Sequence, residues 1–294
     1  MPPTLALVVC SRDRPESLQA CLAGITRQAA DELLVIDSAS TDDATQQVAA
    51  AHDVRCVRVA EPGLARARNA ALRHTAADVV AFTDDDCEPQ PGWAAAVRAC
   101  AADSAGKLGF VLGPVRPDGD GGVSVMLDSR PRDFDATDDP SHIGHGANFT
   151  VSRSAWQALG GFDELLGVGA TLRSGEDTDF LWRALQAGWT GRYEPRAIVV
   201  HRQWRSRAQA LHTSYGYGIG AGAVRVKVRR LAGRAGARGF AAGSVAATLA
   251  QAGRDAGHGY LFGVLDGLAR TAGIVAGRYQ AARLGLIDGH LVAR

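Results

Sequence analysis

A six-residue apolar run, Leu5 to Cys10, enters a polar turn at Ser11-Arg12-Asp13-Arg14-Pro15, after which apolar residues recur at Leu18, Cys21, Leu22 and Ile25. A continuous apolar run bounded by turn residues predicts a buried strand, and spacings of three and four predict a helix. The unit repeats. Glu32 to Ile36 ends at Asp37, and Ser38 to Asp43 supplies turn and cap residues before a helix through about Ala51. Val54 to Val59 leads through Glu61-Pro62-Gly63 into an Ala/Arg-rich helix through Leu72, and Val79 to Thr83 runs into Asp84-Asp85-Asp86. Short apolar strands alternating with helices predict an α/β fold, a mostly parallel sheet flanked by helices. Such sheets bind ligands at the carboxyl ends of their strands.

Further along, the pattern predicts a helix over Trp93 to Ala102 and a strand near Phe110 to Val115. Arg116 to His145, rich in Gly, Asp and Pro and without periodicity, is expected to form a flexible flap. Gly146 to Ser152 reads as a strand, Ala155 to Leu159 as a short helix, and Asp177 to Ala187 as a helix with Phe180, Leu181, Ala184 and Leu185 on one face. Val199-Val200 ends a last strand at His201. From Phe240 to Arg294 the pattern is helical and punctuated by Gly, with Leu261, Phe262, Leu265, Leu268 and Ile274 as an apolar stripe, which predicts a C-terminal helical appendage. The expected division is residues 1–205 as one large domain and 206–294 as a basic and helical region.

Composition narrows the classes. With 46% hydrophobic and 21% charged residues over 294, the chain has material for a sizeable core and is not a disordered polymer. Lys and Arg total 32 against 31 Asp and Glu, so the molecule is no polycation built to coat nucleic acid, and no nucleic-acid partner is expected. The asymmetry is local: Arg202 to Arg238 carries nine basic residues and no acid. Cys10, Cys21, Cys56, Cys87 and Cys100 form no C-x-x-C pair and are expected as buried thiols in a reducing compartment. The chain lacks a signal-peptide pattern and an apolar run of about 18 residues, so the expected location is cytoplasmic, at most peripheral to the membrane.

Three adjacent carboxylates, Asp84-Asp85-Asp86, repel one another at a strand end, and a divalent cation is their natural occupant; the alternative is a solvated turn with Asp86 as a helix cap. Asp37, also at a strand end, could accept hydrogen bonds from a base or ribose, or simply serve its turn. Arg66, Arg68 and Asn69 follow Gly63 at a helix start, where guanidinium and N–H groups suit a diphosphate; the alternative is that they are surface residues.

The segments Val8 to Pro15, Val35 to Asp42, Gly63-Leu64-Ala65-Arg66-Ala67-Arg68-Asn69, Asp84-Asp85-Asp86, Gly160-Gly161-Phe162-Asp163-Glu164 and Gly175-Glu176-Asp177-Thr178-Asp179 stand in the order seen in the GT-A glycosyltransferases of family 2. From about Leu5 to His201 the chain resembles that family. The resemblance implies a GT-A, Rossmann-like domain that binds a nucleoside-diphosphate sugar, most simply a UDP-sugar. It implies transfer of a hexosyl or N-acetylhexosaminyl group with inversion. Ser11 and Arg12 resemble the first nucleotide-contacting loop, Asp37 the carboxylate that reads a uracil-type base, and Arg66 or Arg68 residues near the base and diphosphate. Asp84 and Asp86 resemble the D-x-D pair, and Asp85 between them is counted with Asp84 in the implied nucleotide-sugar site. Asp86 and Asp84 are the implied ligands of Mn²⁺ or Mg²⁺, with Asp84 also near the ribose. His201 stands where relatives place a metal-binding His.

Asp177, with Glu176 as second choice, resembles the base that deprotonates the acceptor; acids complementing a helix dipole explain the same pattern. Gly144 to Asn148 would line the donor-sugar or acceptor surface, whereas Trp156 and Phe162 read as core. The basic segment admits three readings: a solvated face, a lid closing Arg202, Arg205 or Arg207 on the diphosphate, or a patch for an anionic acceptor or anionic lipid headgroups. Tyr215-Gly216-Tyr217-Gly218-Ile219-Gly220 within it is flexible by composition. The acceptor could be a glycan, a lipid-linked carrier or a small molecule, and the C-terminal region could support a homo-oligomer. The rivals are a sugar-phosphate nucleotidyltransferase, which would want a Gly-rich loop with a Lys after the first strand, and a non-catalytic nucleotide-sugar-binding protein.

Overall fold

The structure, a computed structural model, describes residues 1–103, 107–118, 127–202, 205–236 and 240–293. The chain forms two compact units, Met1–Phe162 with Phe180–Gln203, and Asp163–Asp179 with Trp204–Arg294.

The first unit begins β1 (Leu5–Ser11), α1 (Pro15–Ile25), β2 (Glu32–Asp37), α2 (Ala44–Ala51), β3 (Arg55–Arg58), α3 (Leu64–His74), β4 (Val79–Asp84), β5 (Cys87–Pro89) and α4 (Trp93–Ala102). It continues through β6 (Leu108–Leu112), β7 (Val115–Pro117), β8 (Arg132–Phe134), β9 (Asn148–Ser152), α5 (Arg153–Ala158), α6 (Glu176–Gln186, begun in the second unit), β10 (Thr190–Tyr193) and β11 (Val199–His201). The main sheet runs β3-β2-β1-β4-β9-β6-β10-β8. Along β1, Ala6 and Val8 pack into one core with Phe82 and Phe149, while Leu5, Leu7 and Val9 pack into another with Leu18, Leu22 and Trp93. Burial on both faces is why the strand reads as an unbroken apolar run.

Strands β3, β2, β1 and β4 are parallel; β9 lies antiparallel between β4 and β6, and β8 is an antiparallel edge on β10. With β2 on one side of β1 and β4 on the other, the strand order reverses at β1, and a crevice opens beyond Ser11 and Asp84. A small second sheet, β5-β11-β7, sets His201 opposite Cys87.

Two expectations change here. The strand expected over Phe110 to Val115 is divided at Gly113, where a Cβ would stand 2.1 Å from the Ala197 carbonyl oxygen. Within the expected flap, β8 pairs with β10 and buries Phe134, and a 3-10 turn covers Pro140–His142; flap residues 119–126 lie outside the described residues.

The second unit contains α7 (Arg207–Gly236), α8 (Val245–Gly257), α9 (Leu261–Ala282) and the hairpin β12 (Gly285–Ile287) and β13 (His290–Val292). The segment Tyr215 to Gly220, expected to be flexible, lies inside α7. Its glycines admit a neighbouring backbone: a Cβ at Gly218 would stand 2.2 Å from the Arg270 oxygen, and one at Gly277 of α9 would stand 1.9 Å from the Ile219 oxygen. The expected apolar stripe of α9 divides likewise, with Ile274 buried against α7 while Leu261, Leu265 and Leu268 face outward. No helix among the described residues is long and apolar enough to cross a membrane.

Candidate active site

Three segments meet at the crevice. Ser11 ends β1, and its hydroxyl donates to Asp85 Oδ2 at 2.7 Å, joining the ends of β1 and β4. Arg14 precedes Pro15, the first residue of α1, and its Nη1 lies 2.7 Å from Asp85 Oδ1 while both terminal nitrogens reach Asp86 Oδ2 at 3.2 Å. The pairing of β11 with β5 brings His201 Nε2 to 3.5 Å from Asp86 Oδ1. Ser11, Asp84, Asp85, Asp86 and His201 are thus gathered in one place, and Arg14 joins them. Arg12 does not: its side chain is 43% exposed and pairs with Asp13 at 3.4 Å.

The electrostatics follow from crowding acids in a poorly hydrated crevice. Burial pushes the Asp85 carboxyl up to about 7, against the opposing pull of Arg14 and the Ser11 hydrogen bond. The Asp84 carboxyl is raised by burial and then by Asp86, with Arg68, His145 and His201 acting in the opposite sense. His145 was not singled out from the sequence; the signal was a lone imidazole between Gly144 and Gly146. Asp86, Cys87 and His201 offer ligand atoms within 4.8 Å of one another. Burial and the neighbouring aspartates hold Cys87 firmly as a thiol, so carboxylate oxygen and imidazole nitrogen are the available donors. That donor set, with acids raised by burial and then by one another, fits a divalent cation such as Mn²⁺ or Mg²⁺.

The neighbouring strand end holds Asp37, fully buried. Its Oδ1 accepts the Ser40 N–H at 2.8 Å, whereas Oδ2 makes no hydrogen bond and stands 3.4 Å from Arg58 Nε. The loops after β1 and β2 are tied together: the Asp13 N–H donates to Ser40 Oγ at 3.0 Å, and Asp13 Oδ1 accepts from Thr41 N at 2.6 Å and Thr41 Oγ1 at 2.9 Å. The Thr41 backbone bond holds the Asp13 carboxyl below its usual range. Asp13 and Ala39 both have positive φ, 52° and 58°, a strained conformation that clusters at functional loops.

The arginines of α3 are placed differently from each other. Arg66 Nη1 donates to the Pro62 carbonyl at 3.0 Å and pairs with Glu61 at 3.0 Å, at the helix entrance. Arg68 is buried between the rings of Phe82, Phe149 and Phe162, 5.6 to 5.9 Å from their centroids, and donates to the Gly146 oxygen at 2.8 Å. It acts on Asp84 by its charge. Asn69 is a scaffold: Oδ1 accepts from Phe162 N at 2.8 Å and Trp156 Nε1 at 3.0 Å, fixing the Gly160-Gly161-Phe162 turn. Asn148 likewise turns inward, donating to the Pro114 and Ala197 oxygens at 3.0 and 2.7 Å and accepting from Trp93 Nε1 at 2.9 Å, so it lines no open surface.

In the second unit, Glu176 is buried, and Asp177 Oδ1 accepts from Thr178 N at 2.7 Å at the start of α6. Two residues on, Asp179 pairs with Lys227 Nζ at 2.7 Å, and the same ammonium lies 2.6 Å from Asp163 Oδ2. All three are buried, and Leu291 N donates to Asp163 Oδ2 at 2.8 Å.

Comparison with known proteins adds three findings. The family described as “Glycosyl transferase family 2” matches residues 6–160. The pre-mycofactocin glycosyltransferase of Mycobacterium tuberculosis, in strains CDC 1551 / Oshkosh and ATCC 25618 / H37Rv, is 33% identical over 147 residues, 47% of this chain. That stretch spans 30% of the relative's own length. A mannosyltransferase, PcManGT from Pyrobaculum calidifontis, solved with GDP-Man and Mn²⁺, superimposes with a TM-score of 0.62 at 20% identity, covering 96% of this chain and 88% of its own. The glucosyl-3-phosphoglycerate synthase of M. tuberculosis, solved with Mn²⁺, UDP and glucosyl-3-phosphoglycerate, gives 0.53 at 17% identity, covering 74% and 78%. At these identities the structural likenesses establish the fold.

Proposed function

Because this chain belongs to glycosyl transferase family 2, we propose that it transfers a hexosyl or N-acetylhexosaminyl group from a UDP-sugar to an acceptor hydroxyl, with inversion at the anomeric carbon. The observation that carries this reading is the meeting of Ser11, Arg14, the three aspartates and His201 at the strand-order reversal, beside a buried Asp37 with one oxygen unsatisfied. Such a crevice is where an open α/β sheet receives a nucleotide. The choice of uracil rests on the position of Asp37 at the end of β2, where Oδ1 accepts the Ser40 N–H and Oδ2, facing Arg58 Nε at 3.4 Å, keeps lone pairs for a ring N–H.

Asp84, Asp86 and His201 would hold the divalent cation, whose charge supports departure of the nucleoside diphosphate when it is bound. The Arg14 guanidinium offsets the carboxylates that would otherwise repel that anionic group. Asp177, with Glu176 beside it, takes the proton of the acceptor hydroxyl as the acceptor oxygen bonds to the anomeric carbon and the carbon–phosphate-oxygen bond breaks. Attack from the face opposite the leaving group gives inversion. The acceptor class, whether glycan, lipid-linked carrier or small molecule, is set by a surface that varies within such folds.

Thermal-shift measurements with UDP-, GDP- and dTDP-sugars, with and without Mn²⁺, test the reading, since a ligand of the folded state raises the Tm by mass action. A UDP-sugar should give the largest rise, and only with the metal. Asp177→Asn should keep that rise while turnover falls by about 10²-fold or more. No shift with any donor sinks the proposal, and unchanged turnover in Asp177→Asn removes the base assignment.

A further inference from the structure

The outward side of α9 is apolar from end to end. Leu261, Leu265, Leu268, Ala272, Val275 and Tyr279 recur at alternating spacings of four and three, and every one is exposed, Leu261 by 69% and Tyr279 by 59%. At about 100° per residue they occupy an arc of about 80°, and at about 1.5 Å rise they extend about 27 Å. Packing within the unit does not use this face. The inward side carries Gly273 and Gly277, whose absent side chains let α7 approach to backbone contact. A helix that turns glycine inward and leucine outward has its apolar side aimed at something outside its own fold.

The charges around the stripe decide what that is. Arg207 lies with Cζ 5.8 Å from the Phe262 ring at one end, and Arg283 with Cζ 4.4 Å from the Tyr279 ring at the other. Arg230 donates to the Leu284 and Ala282 oxygens at 3.0 and 2.9 Å, beside the same end of the helix. The only carboxylate of α9, Asp266, accepts the Ser214 hydroxyl of α7 and so belongs to the inward side. Over Arg202 to Arg294 the sequence holds fourteen Arg and Lys against three Asp. The other two acids are Asp255 of α8, beside Gly263 at one end of the stripe, and Asp288 in the β12–β13 turn beyond the other, so a second copy laid antiparallel on this face would still set one net-positive rim against another. An anionic surface supplies the missing charge. No helix among the described residues can span a bilayer, so the contact is one of lying in the interface plane.

We propose that the outer face of α9 docks on a lipid surface carrying anionic headgroups, its leucines at the acyl boundary and Arg207, Arg230 and Arg283 among the headgroups. The inference stands apart from the transfer reaction and can fail without it.

Flotation of the full chain with vesicles tests it. Binding is expected to vesicles of phosphatidylcholine mixed with phosphatidylglycerol, weak binding to phosphatidylcholine alone, and release as salt is raised. Leu265→Ser with Leu268→Ser, at exposed positions, should lower partitioning about tenfold or more at unchanged Tm, while Leu127→Ser, exposed in the first unit, should leave it as it was. Arg283→Glu should weaken binding to the anionic vesicles alone. The proposal is overturned if the wild type stays unbound, if the double Leu variant floats as well as wild type, or if sedimentation shows a dimer that the same variant dissolves.

Discussion

Arg14 is the residue on which the acidic crevice depends most directly. It stands against Asp85 and Asp86, both nearly buried, at 2.7 and 3.2 Å. Removing the partner of a buried charge costs about 3–5 kcal/mol, and the partial exposure of Arg14 reduces that to about 1–3 kcal/mol. Arg14→Gln should therefore lower the Tm in EDTA, and by clearly less in saturating Mn²⁺, where a second cation offsets the same carboxylates. Equal losses in both would separate Arg14 from the metal site. Glu194 gives a pH effect free of that site. Arg196 donates to it at 2.8 and 3.0 Å, and these bonds hold its carboxyl down to about 2, below the ordinary 4.5. A depressed carboxyl contributes stability that is complete above the ordinary value and is lost as pH falls from about 4.5 towards 2. With the Arg196 side chain 72% exposed, screening leaves about 1–2 kcal/mol. Melting curves of Glu194→Gln should start lower at neutral pH and fall less steeply across that window. The aspartates and His201 were legible because each ends an apolar run. Arg12 and Arg14 share one turn, and only the entry of α1 decides which points inward. The core position of Arg68 depends on three rings brought from distant strands, which local sequence does not encode.

At the scale of elements, glycine is where local propensity and packing disagree. In a helix, Gly costs about 1 kcal/mol relative to Ala, so a Gly-rich segment reads as flexible. Yet Tyr215 to Gly220 is helical, because backbone-to-backbone packing against α9 outweighs that penalty. Gly277→Ala puts a methyl 1.9 Å from the Ile219 oxygen, an overpacking worth about 1–3 kcal/mol or more, which exceeds the propensity gain. Gly253 in α8 has nothing within 4 Å of a Cβ, so Gly253→Ala should stabilise by about 0.5–1 kcal/mol. Urea titrations of the two variants should move in opposite directions. A stabilised Gly277→Ala would mean the helices are not packed as described. The strands of the first unit posed no such conflict: burial on both faces gave β1, β2 and β4 continuous apolar runs, whereas the polar Arg132–Phe134 edge, with one face to cover, left only Phe134 as a trace.

Across the whole molecule, the order of elements was legible and the pairing of distant ones was not. Alternating β-α units announce a parallel sheet, but nothing local gives its order β3-β2-β1-β4, or says that β9 enters antiparallel beside β4 or that β11 joins β5 to carry His201 to Asp86. The same holds for the second unit, which is discontinuous: residues 163–179 join a partner that begins about twenty-five residues later. Lys227 of α7 is the chemical reason. It is fully buried and neutralises Asp163 and Asp179, which are nearly 50 residues or more before it in sequence. Lys227→Met removes the shared cation and leaves two buried carboxylates, at about 3–5 kcal/mol. Because both acids belong to 163–179, hydrogen exchange by mass spectrometry should show protection lost over that segment, including the start of α6 that bears Glu176 and Asp177. Adding Asp163→Asn and Asp179→Asn to Lys227→Met removes the uncompensated charges and should restore part of the protection. Full protection in Lys227→Met alone would show that packing, not this ion triad, holds the segment in its unit.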